Sequence, residues 1–190
     1  MKMRMTPVRL WFLFAALILL TRSTHLFSGA LPDATIALML LGGIWIRRWP
    51  GFAGLMGVVF AADWIVTGAL GVPDFCLSPA YAGLVPAYLL VWLGGWWLHA
   101  KKPDASLLAM FTAALVASGA AFAVSNAFWY AFSGEFDGWP ATRFAAEVLQ
   151  YYPAYAGPAL GYVALAWGIR LAVRRKLPDR PLDSLAHRTW

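Results

Sequence analysis

Long apolar segments fill most of the chain and are separated by short links rich in Pro, Gly and charged residues. Six such segments lie at about 9–27, 31–46, 52–70, 80–98, 105–132 and 144–173. An α-helix needs roughly 20 apolar residues to cross a hydrocarbon core of about 30 Å, and most of the segments are close to that length. The pattern predicts an all-α integral membrane protein, with one domain of six transmembrane helices and a polar tail at 174–190.

The composition favours the same class of protein. Hydrophobic residues make up 61% of the 190 residues and charged residues only 13%, and the mean hydropathy is +0.63. Soluble domains have about 45–50% apolar and about 25% charged residues. A soluble globule of this size has too much surface for its volume to bury so many apolar side chains, whereas a lipid bilayer removes that difficulty.

The basic residues indicate how the helices are oriented. Of the 15 Lys and Arg residues, all but Arg22 and Arg143 fall on links and ends that lie on one predicted side of the membrane. Short cytoplasmic loops carry an excess of Lys and Arg, so the sequence predicts that both termini are cytoplasmic. The net charge of +6 is therefore a topology signal, and no nucleic-acid partner is predicted.

Asp63 and Arg22 are charged residues well inside predicted spans, in the outer half of the membrane. Asp63 lies in the third span and Arg22 lies at a similar depth in the first, with His25 three residues further along the same helix face. A charged group at such a depth costs several kcal/mol unless it is paired or hydrated, so it marks a functional site by default. We expect Asp63 to be charge-balanced by Arg22 or hydrogen-bonded to Tyr81.

The sixth segment carries a second polar stripe. Arg143 and Glu147 are four residues apart, and Tyr151 and Tyr155 continue the same spacing. On one continuous helix these four side chains would share a face. The stripe is predicted to lie on the outer side, together with Asp63 and Arg22.

The single cysteine lies on an outer link bounded by Pro73 and Pro79. Cys76 cannot form an internal disulfide, and one thiolate cannot build a zinc site from protein ligands alone. Two chemistries remain open. The thiol could act as a nucleophile, with His25 as base and Asp63 as the orienting group, or it could fill an axial position on a metal held in its own macrocycle.

The set His25, Asp63 and Tyr81, with the segment Asp74-Phe75-Cys76-Leu77-Ser78-Pro79, resembles the BtuM-type vitamin B12 transporters. These are small bacterial inner-membrane proteins related to the S-components of energy-coupling factor (ECF) transporters, and the likeness covers most of 8–173. It implies uptake of cobalamin across the inner membrane, with Cys76 as an axial ligand of the cobalt.

The resemblance and the outer polar groups together give a predicted substrate-binding set: His25, Asp63, Asp74, Phe75, Tyr81, Tyr151 and Tyr155. Cobalamin is then a bound substrate, and no metal site made of protein ligands alone is predicted. An electron-rich thiolate at Cys76 could also reduce the cobalt and expel its cyanide or alkyl ligand, which would be an enzymatic side activity.

The first helix departs from the S-component pattern. S-components carry small residues four apart on this helix, where the coupling subunit docks. Here Ala15 is followed by Leu19, and Ala16 by Leu20. The sequence therefore does not predict a dedicated ECF energising module, and it leaves the oligomeric state open.

Three other functions remain open. The chain could be an S-component for another vitamin such as thiamin or riboflavin, in which case Cys76 would be incidental. It could be a membrane enzyme that uses Cys76 with His25, such as an acyltransferase or a thiol-dependent hydrolase. It could also be a non-transporting subunit that packs against a partner through small residues, either Gly157 and Gly161 or the series Ala109, Ala113, Ala117 and Ala121.

Overall fold

The structure, a computed structural model, describes residues 6–22, 31–70, 78–102 and 104–176, and every regular element in these ranges is a helix. In chain order the helices are α1 (Pro7–Arg22), α2 (Thr35–Trp45), α3 (Trp49–Leu70), a short 3₁₀ helix (Pro79–Gly83), α4 (Leu84–Lys101), α5 (Leu107–Phe132), α6 (Ala141–Leu149) and α7 (Tyr152–Lys176). The predicted all-α fold is confirmed.

Four of the described helical segments are long and apolar enough to cross a membrane. They are Trp49–Gly68, Pro79–Lys101, Leu107–Phe132 and Tyr152–Val173. As described, α1 has 16 residues and α2 has 11, fewer than the roughly 20 residues of a full span. The chain therefore has the helices of a multi-pass membrane protein.

The sixth predicted segment is not one helix, and this part of the prediction is wrong. Helix α6 ends at Leu149 and α7 begins at Tyr152, so the segment 144–173 is broken near its beginning. Pro153 lies directly after this break, and it has no backbone N–H to donate to the carbonyl of Leu149, while its ring would clash with that carbonyl. Proline is tolerated in the first turn of a new helix, where that donor has no partner in any case.

Helix α2 is the centre of the bundle. Its residues from Thr35 to Ile44 are at most 8% exposed, and it packs against α1, α3, α4, α5 and α7. At 1.5 Å per residue its 11 residues extend about 16 Å, which is only about half of the hydrocarbon core. The neighbouring helices therefore surround a short helix whose side chains are apolar apart from Thr35 at its start.

Two glycines bring α2 and α4 into backbone contact. A Cβ atom on Gly43 would lie 2.1 Å from the carbonyl oxygen of Trp92, and one on Gly95 would lie 2.1 Å from the carbonyl oxygen of Leu40. Because the obstructing atoms belong to helical backbone, they cannot rotate away. The absence of a side chain at Gly43 and Gly95 is therefore a condition of this packing.

The two small-residue faces that could hold a partner differ in their surroundings. Ala117 and Ala121 are 7% and 0% exposed and belong to the core of the chain itself. In contrast, a Cβ atom on Gly157 or Gly161 of α7 would meet no other atom within 4 Å. Ala117 and Ala121, the last two alanines of the series, therefore pack within the chain itself.

We predict that Gly43→Ala and Gly95→Ala destabilise the protein, because a methyl group at either position overlaps backbone atoms. Overpacking costs typically about 1–3 kcal/mol, which should lower the midpoint of thermal unfolding in detergent by several degrees. Gly57→Ala and Gly161→Ala are matched controls, since a Cβ at these helical positions meets nothing within 4 Å. Equal melting temperatures for all four variants would contradict the close approach of α2 and α4.

Candidate functional site

Arg22 and Asp63 form a two-pronged ion pair between α1 and α3. The Arg22 Nε donates to Asp63 Oδ1 at 2.5 Å and the second terminal nitrogen donates to Oδ2 at 2.7 Å. The two side chains are 14% and 19% exposed. Parallel hydrogen bonds between a guanidinium and a carboxylate are the strongest and most directional form of such a pair. The predicted charge balance between Asp63 and Arg22 is confirmed.

The pair forms because the two residues lie at nearly the same distance along two parallel helices, measured from the ends at which both helices begin. The indole Nε1 of Trp11 donates to the carbonyl of Gly51 at 3.1 Å, so α1 and α3 begin at the same end and run in parallel. Arg22 is the last residue of α1, and Asp63 lies 14 residues into α3. At 1.5 Å per residue both are about 21–23 Å from the first residue of their helix.

Three more residues complete a polar network. The remaining terminal nitrogen of Arg22 donates to Asp33 Oδ2 at 3.1 Å and to the Tyr88 hydroxyl at 3.0 Å. The Tyr81 hydroxyl donates to Asp63 Oδ2 at 2.5 Å, so the alternative expectation for Asp63 is confirmed as well. We call Arg22, Asp33, Asp63, Tyr81 and Tyr88 the Arg22 cluster.

Asp33 also fixes the point at which α2 begins. Its Oδ1 accepts from the backbone N–H of Thr35 at 2.8 Å and from the Thr35 hydroxyl at 2.5 Å. The Thr21 hydroxyl accepts from the N–H of Ala34 at 3.2 Å and donates to the carbonyl of Leu17. The last turn of α1 and the first turn of α2 are thus joined, and Asp33 is held beside Arg22. A carboxylate at a helix N-terminus is also favoured by the helix dipole.

The cluster contains one guanidinium and two carboxylates, so the carboxylates outnumber the single cation. Asp33 is its accessible member, with 44% of the side chain exposed, whereas Tyr88 is buried. Ionised carboxylates only accept hydrogen bonds. The arrangement therefore suits a ligand that presents N–H or O–H donors, or a positive charge, at Asp33.

The sequence did not single out Asp33 or Tyr88. Asp33 lies at the start of the second predicted segment, 31–46, and an Asp two residues before an apolar helix is a recognisable helix-start signal. Tyr88 follows Tyr81 by seven residues, and two helical turns return a side chain to nearly the same face. Both signals were present in the sequence.

The other predicted site residues have different outcomes. His25, Asp74, Phe75 and Cys76 lie outside the described residues. Tyr81 belongs to the cluster, on the 3₁₀ helix that begins directly after Ser78.

The two tyrosines of the predicted stripe do not belong to one surface. Tyr155 is partly buried against the core, with its ring 5.2 Å from that of Phe122. Tyr151 is 62% exposed at the turn between α6 and α7. Arg143 and Glu147 lie on α6 and Tyr155 on α7, so the four side chains of the stripe do not share one continuous helix as expected.

Arg143 has a different contact from the one its spacing indicates. Its guanidinium stacks over the ring of Trp139, 3.8 Å from the ring centre. The ion pairs found between described residues do not join it to Glu147. The link between α5 and α6 forms an aromatic hairpin, in which the Phe136 ring lies 4.7 Å from that of Phe144. Arg143 belongs to this hairpin.

Within the described ranges, no three side chains of the metal-ligand types His, Cys, Asp and Glu come together. Comparison of the sequence with protein-family models and with curated proteins finds no match.

We predict strong coupling between Arg22 and Asp63 in a double-mutant cycle. Either single variant, Arg22→Gln or Asp63→Asn, leaves one charge without its partner in a water-poor site, which is costly. The double variant removes both charges, so its loss of unfolding free energy should be smaller than the sum of the two single losses by at least about 1 kcal/mol. Reversible unfolding in mixed micelles measures each term.

The exposed pair of Arg170 and Asp104 supplies the control. Their side chains are 24% and 74% exposed and approach to 3.0 Å, and exposed pairs contribute about 0.2–1 kcal/mol. The cycle of Arg170→Gln with Asp104→Asn should therefore give the smaller coupling. Additive effects at Arg22 and Asp63 would show that the pair does not hold the cluster together.

Proposed function

We propose that the protein takes up cobalamin across the bacterial inner membrane, binding it from the outside with Cys76 as an axial ligand of the cobalt. The observation that carries this proposal is the hydrogen bond between Tyr81 and Asp63. These are two of the three residues that the resemblance to BtuM-type transporters assigns to the surroundings of the vitamin. They come from separate helices, and their side chains meet within one polar network.

The chemistry of the Arg22 cluster supports a ligand of this kind. The corrin ring has a rim of amide groups, whose N–H donors complement carboxylate oxygens such as those of Asp33. Its large apolar faces complement aromatic side chains, and the ring of Phe60 lies 5.5 Å from that of Tyr81. A few placed polar groups among aromatic side chains are typical of small-molecule sites.

The position of Cys76 in the sequence supports the assignment of the cobalt ligand. Cys76 precedes Ser78 by two residues, and the carbonyl of Ser78 accepts from the backbone N–H of Tyr81 at 2.8 Å. The thiolate is a soft donor that suits a transition metal. In this proposal it displaces the lower base of the vitamin, giving a base-off complex.

The proposal includes six spans with both termini in the cytoplasm. The ring centres of Trp49 and Trp96 are 5.4 Å apart, so the start of α3 and the end of α4 lie at one end of the bundle. The basic pairs Arg47–Arg48 and Lys101–Lys102 belong to this same end. Their common location supports a cytoplasmic face there, with the Arg22 cluster toward the outside.

We predict that Asp63→Asn and Tyr81→Phe lower uptake of labelled cobalamin into cells that lack another importer. Hydrogen bonds to charged groups contribute about 1.5–3 kcal/mol, so disturbing the Tyr81–Asp63 contact should reduce uptake by at least about tenfold. Tyr130→Phe is the matched control, because its hydroxyl donates to the carbonyl of Trp139 in the hairpin and not to the cluster. The amount of each variant in the membrane fraction corrects for expression.

Uptake at the wild-type rate by both cluster variants would remove the Arg22 cluster from the binding site. Transport of thiamin or riboflavin by the wild-type protein, with no uptake of cobalamin, would favour an S-component for another vitamin. Covalent labelling of Cys76 by an electrophilic substrate, again without cobalamin uptake, would favour the enzyme.

A further inference from the structure

A groove of about 620 Å³ runs between α4 and α5 and opens at the side of the bundle. On α4 it extends from Leu90 to Lys101 and Lys102, and on α5 from Ser106 to Ala120. The groove includes no member of the Arg22 cluster. It therefore requires its own explanation, which does not depend on the proposed function.

The length of the groove corresponds to one leaflet of a bilayer. Leu90 and Lys101 are 11 residues apart, which on a helix is about 17 Å. Half of a hydrocarbon core of about 30 Å is about 15 Å. The groove thus reaches from one membrane surface to about the midplane.

Small residues make the floor of the groove and large apolar residues make its edges. A Cβ atom on Gly94 would lie 3.3 Å from that of Ala117, so α4 and α5 are close together along the floor. At the edges Trp97 and Val116 are 62% and 68% exposed. The result is an elongated apolar channel between α4 and α5.

Positive charge is concentrated at one end of the groove. Lys101 and Lys102 line it and are both exposed, and they take part in none of the ion pairs found between described residues. The N-terminus of the 26-residue helix α5 adjoins them, and its dipole adds positive potential. The nearby carboxylate of Asp104 is paired with Arg170.

We propose that this groove is a binding site for an anionic phospholipid such as phosphatidylglycerol. One acyl chain lies in the apolar channel, and the phosphate contacts Lys101 and Lys102. Charge complementarity selects this ligand over a zwitterionic lipid, because basic pockets between transmembrane helices bind anionic headgroups.

Quenching of Trp97 fluorescence tests the proposal. The protein is reconstituted into phosphatidylcholine vesicles that contain a rising fraction of phosphatidylglycerol or phosphatidylcholine brominated on the acyl chain near the headgroup. The difference between wild type and Trp97→Phe isolates the Trp97 signal. Each lysine near the membrane surface contributes about a fivefold preference for anionic lipid, so brominated phosphatidylglycerol should quench Trp97 at a correspondingly lower fraction.

Two pairs of variants provide matched controls. Lys101→Gln with Lys102→Gln should abolish the lipid preference, whereas Arg47→Gln with Arg48→Gln removes equal charge at the same end and should leave it intact. Ala120→Leu fills the groove and should weaken quenching by both lipids. Ala123→Leu changes an exposed alanine of the same helix outside the groove and should not.

Equal quenching by the two lipids in the wild type, or equal loss of preference in the Lys and Arg variants, would overturn the proposal. A Trp97 signal that neither brominated lipid quenches would overturn it too, since a protein surface such as a second copy of the chain would then cover the groove.

Discussion

The ion pair between Arg22 and Asp63 is the interaction on which the end of the bundle opposite Trp49 and Trp96 depends. It joins α1 to α3, and through Asp33, Tyr81 and Tyr88 it also fixes the beginnings of α2 and α4. Removing two charges from water is expensive, and a buried pair often contributes no more stability than apolar side chains of the same volume. Its presence is therefore better explained by a site that needs acceptor oxygens at this depth than by stability.

The position of the cluster follows from the packing below it. The backbone contact between α2 and α4 at Gly43 and Gly95 sets the height of α2 against α4. Since α2 begins at Thr35, that height also determines where Asp33 stands relative to Tyr88. A change at the glycines should therefore be felt at the cluster, although the two lie at different levels of the bundle. The packing of α2 against α4 and the position of the Arg22 cluster are therefore linked through a helix of only 11 residues.

The sequence was sufficient to predict the helical class and the central ion pair. Charged residues inside apolar segments are rare and must be paired, so equal depth alone associated Arg22 with Asp63. The same depth argument did not find Asp33, because that residue lies at the very end of a predicted segment, or Tyr88, because an uncharged residue gives no such signal. The break before α7 was missed because Pro153 was treated as part of a continuous apolar segment, although its effect on a helix is local and strong. His25 and Cys76 lie outside the described residues, so their places beside the cluster stay predictions.

Ligation of cobalt by Cys76 is the central claim, and the visible absorption spectrum tests it most directly. The wild-type protein, purified in detergent from cells grown with cobalamin, should retain the vitamin and show the spectrum of a base-off corrinoid. The variant Cys76→Ser keeps nearly the same side-chain volume but loses the soft donor, so its spectrum should lack that shift even if some vitamin is still bound. A wild-type spectrum without bound corrinoid, or the same shift in wild type and Cys76→Ser, would contradict the account.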